Sequence, residues 1–435
     1  VTPAPHRLNA ADRFMLVVDR TIRGLGGPGF ETLTFVRLDG RADRDRLRRG
    51  LAGLNVASPT VTARLNPDRP CWEPRPGAGV ELRECELPTA DPQALLDHAA
   101  GLLAGETDPA RTDPMRFTLV HLPDGRDVFL ARYSHVLLDH SHAIGALRRI
   151  DELGAPGAAA VPPAPAPWRD PVWGYLRQSP RPARRRAAAA SGELRKAMRG
   201  GALKLGRHLP AGERATYAIL TRTLSAEETR AAEAGARRAT GVPNLSMALL
   251  ASAFLGVGRL TEGRPDRGAY YQTGIAADLG LRNRPLDILE NLATLIPLRV
   301  PAADATDRDG LARLLARQLL DHLAARTDLG ILQQITALGR QRERGQWVVE
   351  LLQRYCVCFW YGYLGPLRLG PTFGGAPVAD VFSAGPTWPA IGVTLLANQF
   401  AGRLRVQLTY IPQVVPPATA AAYLDGVVAD LLAGA

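Results

Sequence analysis

His135 and Asp139 stand four residues apart in the stretch Phe129 to His140, where an apolar run delivers a histidine to its end and a carboxylate follows. A neutral imidazole titrates near neutrality, so a histidine at the mouth of a cleft can take a proton from an attacking hydroxyl or amine, as an acyl-transfer base does. The spacing is weak by itself, because an HxxxD match arises by chance in roughly half of chains this long. The surrounding elements must carry the argument.

Phe117 to Leu122 reads as a strand, Pro123-Asp124-Gly125 as a tight turn, and Val128 to Ser134 as the returning strand of a hairpin. Downstream, Ser141 can cap a helix whose Ile144, Leu147 and Leu153 recur at helical spacing, with Gly154 as its stop. The histidine therefore sits on a strand-to-helix turn.

On these residues the chain resembles the HxxxD acyltransferase superfamily, which includes chloramphenicol acetyltransferase, the condensation domains of nonribosomal peptide synthetases, and polyketide-associated and wax-ester-synthase-like acyltransferases. Their shared pattern is a hairpin, then HHxxxDG, then a helix. Further pieces recur in the family's order. Leu8 to Leu16 resembles the opening helix, and Phe35 to Leu47 the first strand and the helix after it. Leu224 to Glu228 is a capping-box helix start. Val242 to Phe254, Leu281 to Pro285, and Asn291 to Val300 follow. Gly362 to Pro366 takes the place of a Ser-Asn-x-Gly stretch, and a hairpin over Val393 to Tyr410 turns at Ala401-Gly402.

The resemblance implies an α/β fold of two chloramphenicol-acetyltransferase-like lobes, each a mixed sheet covered by helices, with the active site in the cleft between them. It implies His135 as catalytic base, and Asp139 turned away from the cleft to pair with an arginine and fix the loop. Tyr363 stands where the family has an asparagine bordering the cleft, and Asn291 precedes the Pro297-Leu-Arg-Val strand end; both are candidate substrate-binding residues. Three positions depart from the pattern. Ser134 replaces the first histidine of the doublet, and His140 replaces the glycine after the aspartate, where it either narrows the cleft or adds a hydrogen bond. Thr62 stands where condensation domains carry the arginine, leaving Arg64, Arg282 or Arg284 as alternative partners for Asp139. Ser134 and His140 are read as structural residues at the active site.

The chain has 435 residues and is 46% hydrophobic, enough for two full cores. The Pro/Ala-rich run including Pro162 to Pro167 reads as a connector. The expected partition is an amino-terminal lobe over 1–160, a Pro/Ala-rich and basic linker over 161–212, and a carboxy-terminal lobe over 213–435. The longest apolar stretch, Leu245 to Gly258, is too short to span a bilayer and reads as a buried helix. Phe14 to Val18 is a brief run flanked by charges, not a secretory signal, so a cytoplasmic location with no membrane partner is expected. The four cysteines form no CxxC pair and are expected to be reduced.

A net charge of +11 suggests an anionic partner. The densest basic region, Arg181 to Arg207, would suit the phosphates of coenzyme A, an acidic acyl carrier protein, or only solvent. Without aromatic interleaving or a recognised motif, nucleic acid is not expected. His135, His140 and His142 cluster, but residues straddling a strand end and a helix start seldom converge on one ion, so no metal site is expected. No G-x-S-x-G elbow accompanies the histidine, which argues against a serine-hydrolase triad.

The expected function is acyl transfer from a coenzyme A or phosphopantetheine thioester, as co-substrate and not a tightly bound cofactor, to an alcohol or amine of a small molecule in specialised metabolism. A monomer is expected. Two rivals remain: a condensation-like binding module without transferase chemistry, favoured by Ser134, His140 and Thr62, and a cleft repurposed for cyclisation. Among Trp360, Tyr361, Tyr363 and Trp388, strand alternation is expected to send Tyr361 and Tyr363 to one face and Trp360 to the other, so that not all four line the tunnel.

Overall fold

The computed structural model describes residues 5–105, 107–158, 177–198, 205–206, 209–210, 212–241, 245–264, 270–278, 289–338 and 358–434. Among these, a six-stranded mixed sheet organises the amino-terminal lobe in the order β12-β13-β2-β7-β6-β5. Its members are β2 (Glu31–Leu38), β5 (Leu82–Glu86), β6 (Met115–His121), β7 (Asp127–Ser134), β12 (Thr372–Phe373) and β13 (Ala376–Ala384). Period-two alternation divides its side chains. Leu33, Phe35, Val120, Val128, Leu130 and Phe382 face one core, while Val36, Phe117, Leu119, Phe129 and Tyr133 face the other. Tyr133 and His135 share parity, so the imidazole continues the second face just beyond the strand end.

The first face is covered by α3 (Pro92–Ala104). The second packs against α1 (Ala10–Gly24), α2 (Arg44–Ala57) and α4 (His140–Gly154). Helices α2 and α4 cross so closely that a Cβ on Gly50 would lie 2.1 Å from the Ile150 carbonyl oxygen, and one on Gly154 2.2 Å from that of Arg46. Glycine at both positions is what permits the crossing. A small sheet of β1 (His6–Arg7), β4 (Cys71–Glu73) and β3 (Arg64–Leu65) adjoins this lobe.

The carboxy-terminal lobe carries the sheet β11-β14-β15-β8, built from β8 (Ala218–Thr223), β11 (Trp360–Pro366), β14 (Val393–Phe400) and β15 (Arg403–Tyr410), and the antiparallel pair β9 (Tyr270–Asp278) and β10 (Ala293–Pro301). Its helices are α6 (Ala226–Thr240), α7 (Leu245–Leu260), α8 (Arg308–Ala325), α9 (Thr327–Leu338) and α10 (Pro417–Ala433). Helix α5 (Arg181–Met198) packs against α9, and its Ala187 is buried with Leu292, Leu329 and Leu332. As the sequence indicates, Ser225 and Glu228 form a reciprocal capping box on α6 and α7 is buried along nearly its whole length. The β14–β15 hairpin turns on Ala401 and Gly402, both at positive φ.

Two strands from beyond residue 213, β12 and β13, belong to the amino-terminal sheet. β13 leaves the carboxy-terminal half of the chain and pairs antiparallel with β2, placing Phe382 opposite Phe35. The expected boundary at 213 does not anticipate this crossover, because β13 reads locally like any other strand. The proline-rich run Pro162 to Pro167 and the stretch Leu281 to Pro285 lie outside the described residues. No single described helix is long and apolar enough to cross a membrane. Among the described residues, Cys71 and Cys85 are free thiols, and the Cys358 Sγ accepts from the Gln272 amide at 3.3 Å.

Candidate active site

The end of β7 is folded back by a tight turn. The Ser134 carbonyl accepts from the Leu137 amide at 3.0 Å, and its hydroxyl accepts from the Val136 amide at 3.2 Å. Ser134 is buried beneath the turn and does not line the cavity. Glu31 pairs with Ser134, so continuing the antiparallel register sets Phe30 opposite His135. The His135 amide donates to the Phe30 carbonyl at 3.0 Å, and the Phe30 ring stacks on the imidazole with centroids 4.8 Å apart. Phe30 was not foreseen from sequence, although the pairing of β2 with β7 would have revealed it.

Asp139, not Ser141, caps α4. Its Oδ1 accepts from the His142 amide at 3.0 Å and lies 2.9 Å from His142 Nδ1, and its Oδ2 accepts from the Leu292 amide at 2.9 Å. Burial alone would raise this carboxyl, but His142 and the two amides outweigh it and hold the group below its ordinary value. The arginine partner expected for Asp139 is thus replaced, among the described residues, by His142 and a backbone amide from the other lobe. Arg64 is committed to Asp113 instead, and Arg282 and Arg284 lie outside the described residues. Thr62 is buried and donates its hydroxyl to Asn55 Oδ1 at 3.1 Å. The spacing of Asp139 and His142 is that of an N-cap and its third helical residue, a signal legible in the sequence.

Asn291 occupies a different place from the expected substrate contact. It is fully buried, away from the cavity wall. Its Nδ2 donates to the His135 carbonyl at 2.6 Å, its Oδ1 accepts from the Ala293 amide at 2.9 Å, and its own carbonyl accepts from Asn9 Nδ2 at 2.9 Å. With the Asp139 amide directed at the Glu290 carbonyl at 3.4 Å, residues 290–292 clamp both ends of the His135 turn.

A cavity of about 480 Å³ opens between the halves of the chain. Phe30, Thr32, Tyr133, His135 and His140 wall it from the amino-terminal side, and Leu292, Leu295, Trp360, Tyr363 and Leu396 from the other. Trp360, Tyr361 and Tyr363 all border it, contrary to strict alternation, as do Gly362 and Leu364 of the same edge strand β11. Tyr361 turns its hydroxyl to the Ser246 carbonyl at 2.7 Å. Trp388 stands behind Trp360, edge to face at 5.4 Å, and is not part of the wall. Burial pushes the Tyr363 phenol up to about 12.

The His135 ring is half-buried, with Nδ1 enclosed, so its open side is Nε2, toward the cavity. Burial pulls its pKa down to about 4, against the opposing pull of Asp139 and the Leu138 backbone. His140 is lowered to about 4 for the same reason, with His135 adding to the effect. The phenol of Tyr133 lies 3.1 Å from His140 Nδ1. Both imidazoles are neutral at physiological pH, the state a proton acceptor requires. Among the described residues, no group of three metal-ligating side chains is arranged to hold an ion.

The backbone as a whole superimposes on the first condensation domain of the calcium-dependent antibiotic synthetase with a TM-score of 0.73, at 18% identity over 99% of this chain and 96% of that one. The fold is that of a condensation domain. The same condensation fold relates the chain to the cyclization-docking bidomain EpoB of a nonribosomal peptide synthetase from Sorangium cellulosum (TM-score 0.70, 15% identity, 100% of this chain and 87% of that one). It also relates the chain to the starter condensation domain of rhizomide synthetase in complex with C8-CoA and Leu-SNAC (TM-score 0.70, 13% identity, 99% and 94%). No family model matches the sequence, and no curated protein matches it. The likeness to condensation domains is therefore one of fold.

Proposed function

We propose that the chain transfers an acyl group from a thioester of coenzyme A or carrier-borne phosphopantetheine to an alcohol or amine of a small molecule, with His135 as general base. The observation that carries this reading is a neutral imidazole whose Nε2 faces a cavity between two lobes of the condensation fold. As the acceptor attacks the thioester carbon, Nε2 takes its proton. The tetrahedral intermediate then collapses, the carbon–sulfur bond breaks, and the thiolate recovers the proton from the imidazolium. No acyl-enzyme is needed. Binding both reactants in attack geometry is worth about 7 to 11 kcal/mol, and the base contributes about 100- to 10,000-fold.

Asp139 and Asn291 act at one remove, as positioning residues that hold the backbone carrying His135. The bound C8-CoA of the rhizomide starter domain supports a coenzyme A-type donor. The test is product formation, followed by mass spectrometry, from a panel of acyl thioesters with amine and alcohol acceptors. His135→Ala should lower turnover about 100- to 10,000-fold while leaving thioester affinity in place. Unchanged turnover in that variant, or tight binding by an inert wild-type protein, would overturn the reading.

A further inference from the structure

A second cavity, of about 250 Å³, lies in the amino-terminal lobe where the turn at Thr62 and Arg64 meets the first residues of β5 and β6. Four arginines line it (Arg64, Arg83, Arg111 and Arg116) against two carboxylates, Glu81 and Asp113. The imbalance continues behind the wall. Asp113 is shared by Arg64 and Arg75. Glu31 is shared by Arg116, bound at 2.6 Å, and by Arg132. Asp113 and Glu31 thus each serve two guanidiniums and neutralise one, while Glu81 pairs with Arg83.

Such an excess is costly to bury unless something pairs with it, because charge removed from water is repaid only by close counter-charge. Burial already pulls Arg132 down to about 10, and Arg116 beside it adds to the shift. The Nε of Arg116, in the wall, is enclosed and has no hydrogen-bond partner. The side chains of Arg83 and Arg111 are 65% and 87% exposed; Arg83 donates to Glu81 at 3.2 Å, and Arg111 reaches Asp108 only at 3.7 Å. The cavity has room for about eight water volumes, comparable to a phosphate or diphosphate group. Planar guanidinium forks match phosphate oxygens better than any other side chain does.

We infer that this cavity is an anion site for a phosphate or diphosphate group, held by Arg64, Arg83, Arg111 and Arg116. None of these residues borders the cavity at His135, and the inference stands whether or not the chain transfers acyl groups. The same chemistry is offered by a free inorganic phosphate and by the phosphates of coenzyme A.

The experiment is calorimetric titration of the full chain with inorganic pyrophosphate, beside a variant carrying both Arg83→Glu and Arg111→Glu, whose exposed side chains can be changed without disturbing the core. Wild type should bind one equivalent with a Kd of about 1 mM or tighter at low salt. The double variant should bind at least about tenfold more weakly, and a variant with lysine at both positions should recover most of the loss. Added salt should weaken binding by wild type. Parallel titrations with coenzyme A, its 3′-dephospho form and pantetheine separate the sources. A coenzyme A affinity that is lost with its phosphates and with the charge reversal assigns the site to that molecule, whereas pyrophosphate binding alone assigns it to smaller phosphates. No saturable binding of pyrophosphate by wild type, or binding indifferent to the charge reversal, would overturn the inference.

Discussion

At the scale of single residues, the pKa values of His135 and His140 make a directional prediction. Each falls from the ordinary 6.5 to about 4 on folding, chiefly by burial. Between those values the unfolded chain binds more protons than the folded one, so stability is fully present above pH 6.5 and is lost as the pH falls toward about 4. Denaturant midpoints measured across that window should fall with pH, and His140→Gln should flatten the slope. Turnover should show no ionisation of His135 near neutrality; a rate profile governed by an apparent pKa of 6.5 would contradict the buried imidazole. Asn291→Ala removes the donor to the His135 carbonyl and leaves a buried acceptor unpaired, a cost of about 1 to 3 kcal/mol. Because the side chain does not border the cavity, kcat should fall while KM stays within a small factor. A change confined to KM would make Asn291 a substrate contact after all.

At the scale of elements, β13 is the piece that ties the lobes. Phe382 stacks on Phe35 of β2 with ring centroids 4.2 Å apart, and the Thr34 and Ser383 hydroxyls meet at 2.8 Å. Phe382→Ala should destabilise the chain by about 3 to 5 kcal/mol, the usual cost of deleting a fully buried aromatic ring. Denaturant titration checks it; a loss below about 1 kcal/mol would show that the crossover strand is held by its backbone ladder alone. The strand-to-helix turn was readable locally: the β6–β7 hairpin, the emergence of His135 at the strand end and the helix after it follow from alternation, turn residues and helical spacing. Its cap was misassigned by two residues. Asp139 and Ser141 are both good caps; the Asp139–His142 spacing favours the first, and the Leu292 amide adds to it.

At the scale of the whole molecule, one hydrophobic core runs through both lobes, joining Val36, Phe117 and Phe129 of the first to Phe254, Val300 and Leu408 of the second. With β13 exchanged and residues 290–292 clamped on the His135 turn, neither half closes its core alone. Heating should therefore give one cooperative transition with matching calorimetric and van't Hoff enthalpies. Two resolved transitions would show that the lobes fold independently. The cavity belongs to this scale too, since its walls come from both halves and its aromatic side from the edge strand β11.

The amino-acid sequence by itself determined the β6–β7 hairpin, the capped start of α6, the β14–β15 hairpin and the placing of an imidazole at a strand end, because these depend on periodicities and side-chain hydrogen bonds that span only a few residues. The tertiary structure alone decided that Asp139 also binds the Leu292 amide, that Asn291 donates to the His135 carbonyl, and that β13 crosses between lobes. Those contacts join positions 153 and 156 residues apart in the chain, or strands from opposite halves. Such contacts leave no local pattern to read, since they arise from how already-formed elements pack.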